Sequence, residues 1–550
     1  MMGLINIFYK IFIKFSKDVN THSFNDFYNQ ENDERKIAFC DELSFFKNHN
    51  TKQSNGIVLV QLVNNYEYVL KIAAFSNVIS KKKNSEVHYY SSSWTKSIGW
   101  IDPNEKIYTL FNKMSIRKMY ESFSGRELLC FNKINLKKDS KKTNKIIENI
   151  LLSVNEPKDV LEIKLNDVLI GDLIYDTYLR YFGNYTLSDI KDPNLYKVIR
   201  AAVNIFIEFE KLINRKKINT IINTYTSYIE HGITTRLCLK YDINTYSLGS
   251  HNYVIQKLSK DYFYHEINHT LFDPDKIISK DNLDVVKHLF ESRFNGVVDD
   301  ALSYMKNSPF KKGQIDQFTL NKFSESKRNV IIYPHDFYDS PHINRLLPFS
   351  DLYVYIDSIL KKLSSSDIET TYWLKLHPNA TRDTNEITID LVKKYNLNGN
   401  ILVLDNSISN IQIIELKPDL IATCRGTVAI EMAYHNIPVL AFYDNLYSNF
   451  NFAHTSKSLS EYYGILKGEK PTHIDFDKEK ILSFYYQCYF EKFEFVDRKI
   501  FDKIHKFEYD AFSDQFIEFL LENKNDYFCD KLIGFYKEAI KIIDKVETLN

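Results

Sequence analysis

Two stretches in the second half of the chain combine residue types that can hold a phosphate. An apolar run, Tyr372–Leu376, leads directly into His377-Pro378-Asn379. Proline ends the strand and fixes the backbone, so the imidazole projects beyond the strand's end, where it can donate a hydrogen bond to phosphate or pair with it as imidazolium. Lys375 and Arg382 add positive charge on either side. About forty-five residues on, a second apolar run ends at Cys424-Arg425-Gly426-Thr427 and passes into a helical pattern, Val428–Tyr434. Gly426 lets the backbone approach a ligand closely and Thr427 can cap the helix. The helix start then attracts an anion, with Arg425 supplying charge. Glu431, one turn into the helix, is placed to accept hydrogen bonds from ribose hydroxyls. The plain alternatives are a structural turn at His377, a simple N-cap at Thr427 and a solvated Glu431.

Proton transfer needs a different residue set, and the first half offers two versions of it. Asp172 follows the apolar Leu169-Ile170 and Gly171, which makes it the first choice for a general base. Glu230-His231-Gly232 opens a helical stretch shortly after the strand-like Ile218–Asn223, making Glu230 and His231 rival bases or acceptor contacts. Helix capping is the ordinary reading of both. A third loop, Tyr333–His342, holds His335, Asp336, Asp339 and His342 just after a strand, where they can contact a donor's phosphate or carboxylate.

Other patterns point elsewhere. His265-Glu266-Ile267-Asn268-His269 matches H-E-x-x-H, the zinc-peptidase arrangement on a helix. Its flanks read as strand and loop, so a metallopeptidase is a distant alternative and no metal is expected. Asp273-Pro274-Asp275 and Asp475-Phe476-Asp477 follow no clear apolar strand and read as turns or helix caps. The six cysteines form no C-x-x-C pair, which fits a reducing cytoplasm better than a disulfide framework or zinc ribbon.

The elements that must position these residues alternate. Strands are expected at Gly56–Leu62, Glu86–Tyr90, Ile218–Asn223 and Asn244–Leu248. A second series follows at Asn329–Tyr333, Tyr372–Leu376, Ile401–Leu404, Asp419–Thr423 and Pro438–Phe442. Helical patterns lie between them, including Leu352–Leu363, Asn385–Tyr395, Ile408–Leu416 and Thr427–His435. The fold class is therefore α/β: two Rossmann-like lobes facing a central cleft, with a helical C-terminal tail. The expected divisions are an N-terminal segment (1–55), a first lobe (56–310), a second lobe (326–480) and a helical tail (481–550). The polar Lys311–Lys327 reads as the linker.

Composition narrows the chemistry. With 71 Lys+Arg against 71 Asp+Glu the net charge is zero, which argues against a nucleic-acid partner. Only 15 of 550 residues are glycine, and neither G-x-G-x-x-G nor G-x-x-x-x-G-K-[ST] occurs. A phosphate site must then rest on one glycine or none. Near the N-terminus, Lys10, Lys14 and Lys17 interrupt an apolar run, which reads either as a helix resting on the inner membrane surface or as a packed terminal helix.

The runs Leu374–Asn379, Pro418–Ala433 and Ile437–Ala441 resemble the nucleotide lobe of bacterial capsule and lipopolysaccharide glycosyltransferases. The closest similarity is to capsule polysaccharide biosynthesis proteins, which include Kdo transferases. The likeness spans roughly residues 326–465. It implies the GT-B fold, no metal or other cofactor, and inverting transfer of a sugar from a nucleotide donor, CMP-Kdo or a related keto-sugar acid being favoured. A glycan or glycolipid would be the acceptor, held by an acceptor lobe (56–310) facing a nucleotide-sugar lobe (326–480), with the tail (481–550) returning to the first lobe. It also implies a donor site at His335, Lys375, His377, Pro378, Arg425, Gly426, Thr427 and Glu431, and a cytoplasmic location, peripheral to the inner membrane if the N-terminal stretch binds there. Arg425-Gly426-Thr427 stands where a Ser-Thr pair would be expected, so UDP- or GDP-sugar transfer and CDP-polyol phosphotransfer stay open. So does a non-catalytic role in envelope assembly.

Overall fold

The computed structural model describes residues 54–61, 66–91, 125–130, 141–248, 255–265, 272–294, 313–343, 347–365, 369–378, 380, 382–442 and 445–489. Within them lie two six-stranded sheets and a short hairpin. The first sheet comprises β1 (Ile57–Gln61), β2 (Glu86–Ser91), β3 (Gly125–Cys130), β6 (Ile218–Asn223), β7 (Asn244–Leu248) and β8 (Ile255–Lys257). The hairpin is β4 (Lys164–Leu165) with β5 (Val168–Leu169). The second sheet comprises β9 (Arg328–Tyr333), β10 (Thr370–Lys375), β11 (Ile401–Leu404), β12 (Leu420–Thr423), β13 (Val439–Phe442) and β14 (His454–Ser456).

The strand orders are β3-β2-β1-β6-β7-β8 and β11-β10-β9-β12-β13-β14. Counted within each lobe, both read 3-2-1-4-5-6, the order of a doubly wound dinucleotide-binding sheet. Within these two sheets all pairings are parallel except β7 with β8. Parallel strands covered on both faces must be apolar throughout, and every residue of β1 and β12 is buried. In each sheet the direction of winding reverses at one point, between β1 and β6 in the first and between β9 and β12 in the second. Ligands bind such sheets in the crevice beyond the strands' carboxyl ends at that reversal.

The helices of the first half are α1 (Tyr66–Lys83), α2 (Lys141–Ser153), α3 (Gly171–Phe182), α4 (Pro193–Arg215), α5 (Tyr228–Lys240) and α6 (Lys280–Phe294). Those of the second are α7 (Gln317–Glu325), α8 (Leu352–Leu363), α9 (Thr384–Tyr395), α10 (Asn410–Leu416), α11 (Val428–Tyr434), α12 (Leu459–Leu466) and α13 (Lys478–Tyr489). Helices α3, α4 and α5 close one face of the first sheet over Leu59 and Ile221. The second sheet is covered on both faces by separate apolar clusters, one around Trp373 and Met432, the other around Ile332 and Ile356. No helix among the described residues is long and apolar enough to cross a membrane.

Several sequence expectations need correction. Lys311–Lys327 is not a free linker, because it contains α7. Asp316 caps that helix by accepting the Thr319 N–H at 2.8 Å, and Phe323 stacks on Trp373. Phe272, Val286 and Phe290 join the core of the second sheet, so packing assigns α6 to the second lobe and the boundary precedes Phe272. Strands β3, β8 and β14, each at a sheet edge, and the hairpin β4–β5 were not anticipated. The expected tail helices lie outside the described residues, as does nearly all of the segment 1–55.

The lobes meet along α3. Tyr175 Oη donates to Asp351 Oδ2 at 2.7 Å, and Thr186 Oγ1 donates to the same oxygen at 2.8 Å. Arg180 Nη1 donates to the Tyr338 carbonyl at 3.4 Å, and Arg382 Nη2 donates to the Arg180 carbonyl at 3.2 Å. The carboxyl ends of the two sheets therefore face one another.

Candidate functional site

At the reversal point of the second sheet, β9 leads through Pro334 into His335, whose φ of 68° is left-handed. That turn aims the ring back at the end of β12. His335 Nε2 lies 3.0 Å from Thr423 Oγ1 and accepts the Arg425 backbone N–H at 3.4 Å. A backbone N–H can only donate, so Nε2 carries a lone pair and the neutral ring holds its proton on Nδ1. Burial, together with the charges of Arg425 and His377, lowers the His335 pKa to about 3. The ring is thus a neutral donor at physiological pH.

Gly426 packs beneath it. Its N–H donates to Thr423 Oγ1 at 3.0 Å, and a Cβ added there would lie 2.8 Å from that oxygen and 3.5 Å from His335 Cε1. Only glycine lets the β12–α11 connection pass so close. Tyr447 Oη donates to the Gly426 carbonyl at 3.1 Å and fixes the peptide from the other side. Arg425 Nη2 is anchored on the carbonyls of Ser340 and Pro341, at 3.3 and 2.6 Å. Thr427 occupies the N-cap of α11 but makes no side-chain cap bond and is exposed, so it does not cap as the sequence suggested. The His377 backbone is clamped by Asn385, which accepts its N–H at 3.0 Å and donates to its carbonyl at 3.1 Å, with Pro378 turning the chain immediately after. His335, His377, Arg425, Gly426 and Thr427 thus come together.

Two predicted members do not. Lys375 is buried and its ammonium donates to the carbonyls of Leu376, at 2.9 Å, and Asn406, at 3.4 Å. Burial lowers its pKa to about 8, opposed by Asp405. Glu431 is also buried, its Oε2 accepting from Asn410 Nδ2 at 2.8 Å and its Oε1 lying 3.5 Å from Arg293 Nη1. A carboxylate so enclosed is a core ion pair, which corrects the ribose role expected of it.

In the first lobe the leading base candidate is likewise overturned. Asp172 is 1% exposed, and both carboxylate oxygens are held by Arg236, each at 2.5 Å. Arg236 also donates to the Leu169 carbonyl at 2.8 Å and stacks on Phe263 at 4.4 Å. The pair is structural. The rivals fare differently: His231 Nε2 and Glu230 Oε1 lie 2.8 Å apart with both side chains partly accessible. Gln61, the last residue of β1, hydrogen-bonds His231 Nδ1. These groups sit at the first sheet's own reversal point, between β1 and β6. Tyr228, at the start of α5 with a φ of 61°, hydrogen-bonds Ser340 of the second lobe and feels Arg180 and Asp339; burial raises its pKa. One contact therefore joins the two clusters across the cleft.

Of the remaining loop residues, His342 and Asp336 are structural. His342 pairs with Asp176, and Asp336 Oδ1 accepts from Tyr338 N–H and Thr384 Oγ1 at 3.1 and 2.8 Å. Asp339 is exposed near Arg180 and Arg425, and desolvation by the surrounding crevice raises its carboxyl above the usual range. Gln61, Thr423 and Tyr228 escaped the sequence reading. The first two share a signal that was available, a polar residue closing an otherwise apolar strand.

No protein-family model matches the chain, and neither does any curated relative. Among solved structures it is similar to Thermosulfurimonas dismutans KpsC, a beta Kdo 2,4 transferase, at 9% identity and a TM-score of 0.31, over 48% of this chain and 78% of that one. It is similar to Anabaena HepE in complex with UDP and glucose at 11% identity and a TM-score of 0.25, over 79% of this chain and 96% of that one. A third likeness is to E. coli ADP-heptose LPS heptosyltransferase II, at 10% identity and a TM-score of 0.20, over 80% and 99% of the two chains. At these TM-scores the likeness carries no argument. The functional reading rests on the chain's own geometry.

The competing motifs lie only partly within the described residues. His265 lies in a loop, where Nδ1 accepts the Thr226 N–H at 3.2 Å and the ring meets Tyr225 edge-on. Glu266 and His269 lie outside the described residues. Asp273 accepts the Asp275 N–H at 2.9 Å in a local turn, and Asp477 accepts the Glu479 N–H at 2.9 Å as the cap of α13. Both D-x-D strings are turns or caps, as their surroundings suggested. Among the described residues, no three His, Cys, Asp or Glu side chains converge to hold a metal.

Proposed function

We propose that the chain is a glycosyltransferase of bacterial surface-polysaccharide assembly, moving a keto-sugar acid of the Kdo type from a CMP donor onto a glycan or glycolipid. One observation carries the reading. Two sheets of dinucleotide-binding order face each other at their reversal points, one presenting His335, His377, Arg425 and Thr427, the other the Glu230–His231 pair.

The donor's phosphate is assigned to the second lobe. His335 offers a neutral N–H, Arg425 a fixed positive charge, and His377 and Thr427 further donors at the rim. These groups stabilise the negative charge that builds on the phosphate as the glycosidic bond breaks. Tyr447 and Asn385 hold the two loops, so little reorganisation is needed when the ligand arrives. In the first lobe the Glu230–His231 pair removes the acceptor's hydroxyl proton, and attack from the face opposite the phosphate inverts the anomeric centre. No metal or other cofactor is assigned a part. The proposed location is the cytoplasm, at the inner membrane surface if the N-terminal stretch binds lipid.

Calorimetry with CMP, UDP, GDP and CDP on the full chain tests this. The reading requires micromolar-range CMP binding that His377→Ala weakens by at least tenfold. Preference for UDP or GDP would keep the transferase and change the donor, and preference for CDP would favour polyol phosphotransfer. Binding of none would leave an envelope-assembly role.

A further inference from the structure

We infer that within the first-lobe pair Glu230 is the base, and that Gln61 and His231 are positioning residues which fix its orientation through a single imidazole tautomer. This deepens the transferase reading and rests on it.

The inference follows the hydrogen bonds inward from the cleft. Gln61 is 2% exposed, so both ends of its amide must find partners inside the protein. Its Oε1 faces the Thr224 backbone N–H at 3.5 Å and the Thr224 hydroxyl at 3.4 Å. A backbone N–H only donates, so the amide oxygen belongs on that side and the amide NH2 is turned to His231 Nδ1. Nδ1 must then be the ring's acceptor, and the proton of a neutral ring sits on Nε2. On the other side of the ring a carboxylate oxygen of Glu230 lies 2.8 Å from Nε2. That oxygen is placed by distance alone, and its negative charge favours the proton that the Gln61 contact already assigns to Nε2.

The backbone beneath is equally constrained. The hydroxyls of Thr234 and Thr235 both donate to the His231 carbonyl at 2.9 Å. Asn223 Nδ2 donates to Thr235 Oγ1 at 2.7 Å, and Tyr90 Oη donates to Asn223 Oδ1 at 2.5 Å. This buried chain ties the first turn of α5 to the ends of β2 and β6, so the ring cannot follow a substrate.

The consequence is a division of labour. With Nδ1 engaged by Gln61 and the proton therefore on Nε2, the neutral imidazole presents no lone pair to an acceptor and cannot itself be the base. Glu230 can. Its carboxylate takes the proton of the acceptor hydroxyl while that oxygen bonds to the anomeric carbon. The bond from that carbon to the donor phosphate breaks, its electron pair leaving on the phosphate oxygen. The proton on Glu230 is then lost to water, and the His231 Nε2 beside it, 2.8 Å from the carboxylate, keeps that position set throughout.

The test uses the full chain with 15N-labelled histidine, the His231 resonance being assigned by its loss in His231→Gln. The inference requires a wild-type ring protonated at Nε2 and bare at Nδ1. It also requires that Gln61→Met mix the tautomers and that Gln61→Glu, which can only accept, move a proton to Nδ1. A wild-type ring protonated at Nδ1, or tautomers indifferent to both Gln61 variants, overturns the positioning role. In turnover, Glu230→Gln should lower kcat by about 10²–10⁴-fold, whereas Gln61→Met and His231→Gln, which keeps an N–H donor, should lower it by roughly tenfold at unchanged donor KM. A loss in His231→Gln as deep as in Glu230→Gln makes the imidazole the base instead. Wild-type protein that binds none of the four nucleotides removes the transferase reading and the base with it, while the tautomer result is decided separately.

Discussion

His342 and Asp176 meet across the boundary between the lobes, Nδ1 to Oδ1 at 2.6 Å, with both side chains shut off from water. The His342 backbone N–H adds a second bond to Asp176 Oδ2 at 3.2 Å. With the Tyr175–Asp351 bond beside it, α3 docks on the second lobe through polar groups that pair across the boundary, His342 using Nδ1 while its Nε2 is buried without a partner among the described residues. Removing one partner of such a buried pair strands the other and typically costs about 3–5 kcal/mol. His342→Ala and Asp176→Ala should each destabilise the chain by that order in urea unfolding. The double variant should cost far less than their sum, with a coupling of at least ~1 kcal/mol. Additive losses would show that the pair does not hold the lobes together.

Asp172 yields a contrasting prediction. Because Arg236 engages both of its oxygens, Asp172→Asn leaves a buried guanidinium half-paired and should destabilise by about 3 kcal/mol or more. At a temperature where the variant remains folded, CMP affinity and turnover should stay within a few-fold of wild type. A collapse of turnover in folded Asp172→Asn protein would restore the residue to the chemistry.

The contrast shows what a single sequence could and could not reveal. The second-lobe cluster was legible as a cluster because each member stands where an apolar strand gives way to polar residues, and strand ends in parallel sheets converge. Asp172 was misread because a carboxylate at a helix start looks the same whether it faces water or a cation. Its partner Arg236 is 64 residues away. Glu431 failed for the same reason, Arg293 lying 138 residues distant. Gly232 carried a hidden signal: a Cβ there would lie 2.4 Å from both Leu173 Cδ2 and the Thr226 carbonyl, so α5 presses against α3 only because that residue is glycine. Such long-range contacts leave no trace in local pattern or propensity. The two sheets did, because burial on both faces forces apolar strands.

Lys375 predicts a rise of stability in alkali. Burial lowers its folded pKa to about 8 from an ordinary 10.5. Between those values the unfolded chain holds a proton that the folded chain has lost, so raising the pH through this window favours the folded state. The gain should be on the order of 3 kcal/mol. Lys375→Met should flatten the rise and, since the ammonium serves the carbonyls of Leu376 and Asn406, leave nucleotide affinity within a few-fold of wild type. An equal alkaline rise in Lys375→Met would show that other groups produce it.

His335 predicts the opposite limb. Its half-buried ring lies beside Arg425 and His377, and desolvation with their charges lowers its folded pKa to about 3 from 6.5. As the pH drops below 6.5 the unfolded chain takes up a proton that the folded chain refuses. The stability due to this group is complete above 6.5 and lost progressively toward 3. His335→Asn, whose amide can still accept from the Arg425 N–H, should show an acid limb shallower by one proton in urea unfolding series from pH 6.5 to 4. A bound nucleotide adds a further test, because phosphate at the cluster offsets Arg425 and lets the ring accept a proton. CMP should therefore protect the wild type against acid more than His335→Asn, beyond the difference in their affinities at pH 7. Identical limbs in the two proteins would mean that the ring is not held neutral by its surroundings, and the assignment of its proton to Nδ1 would fall with it.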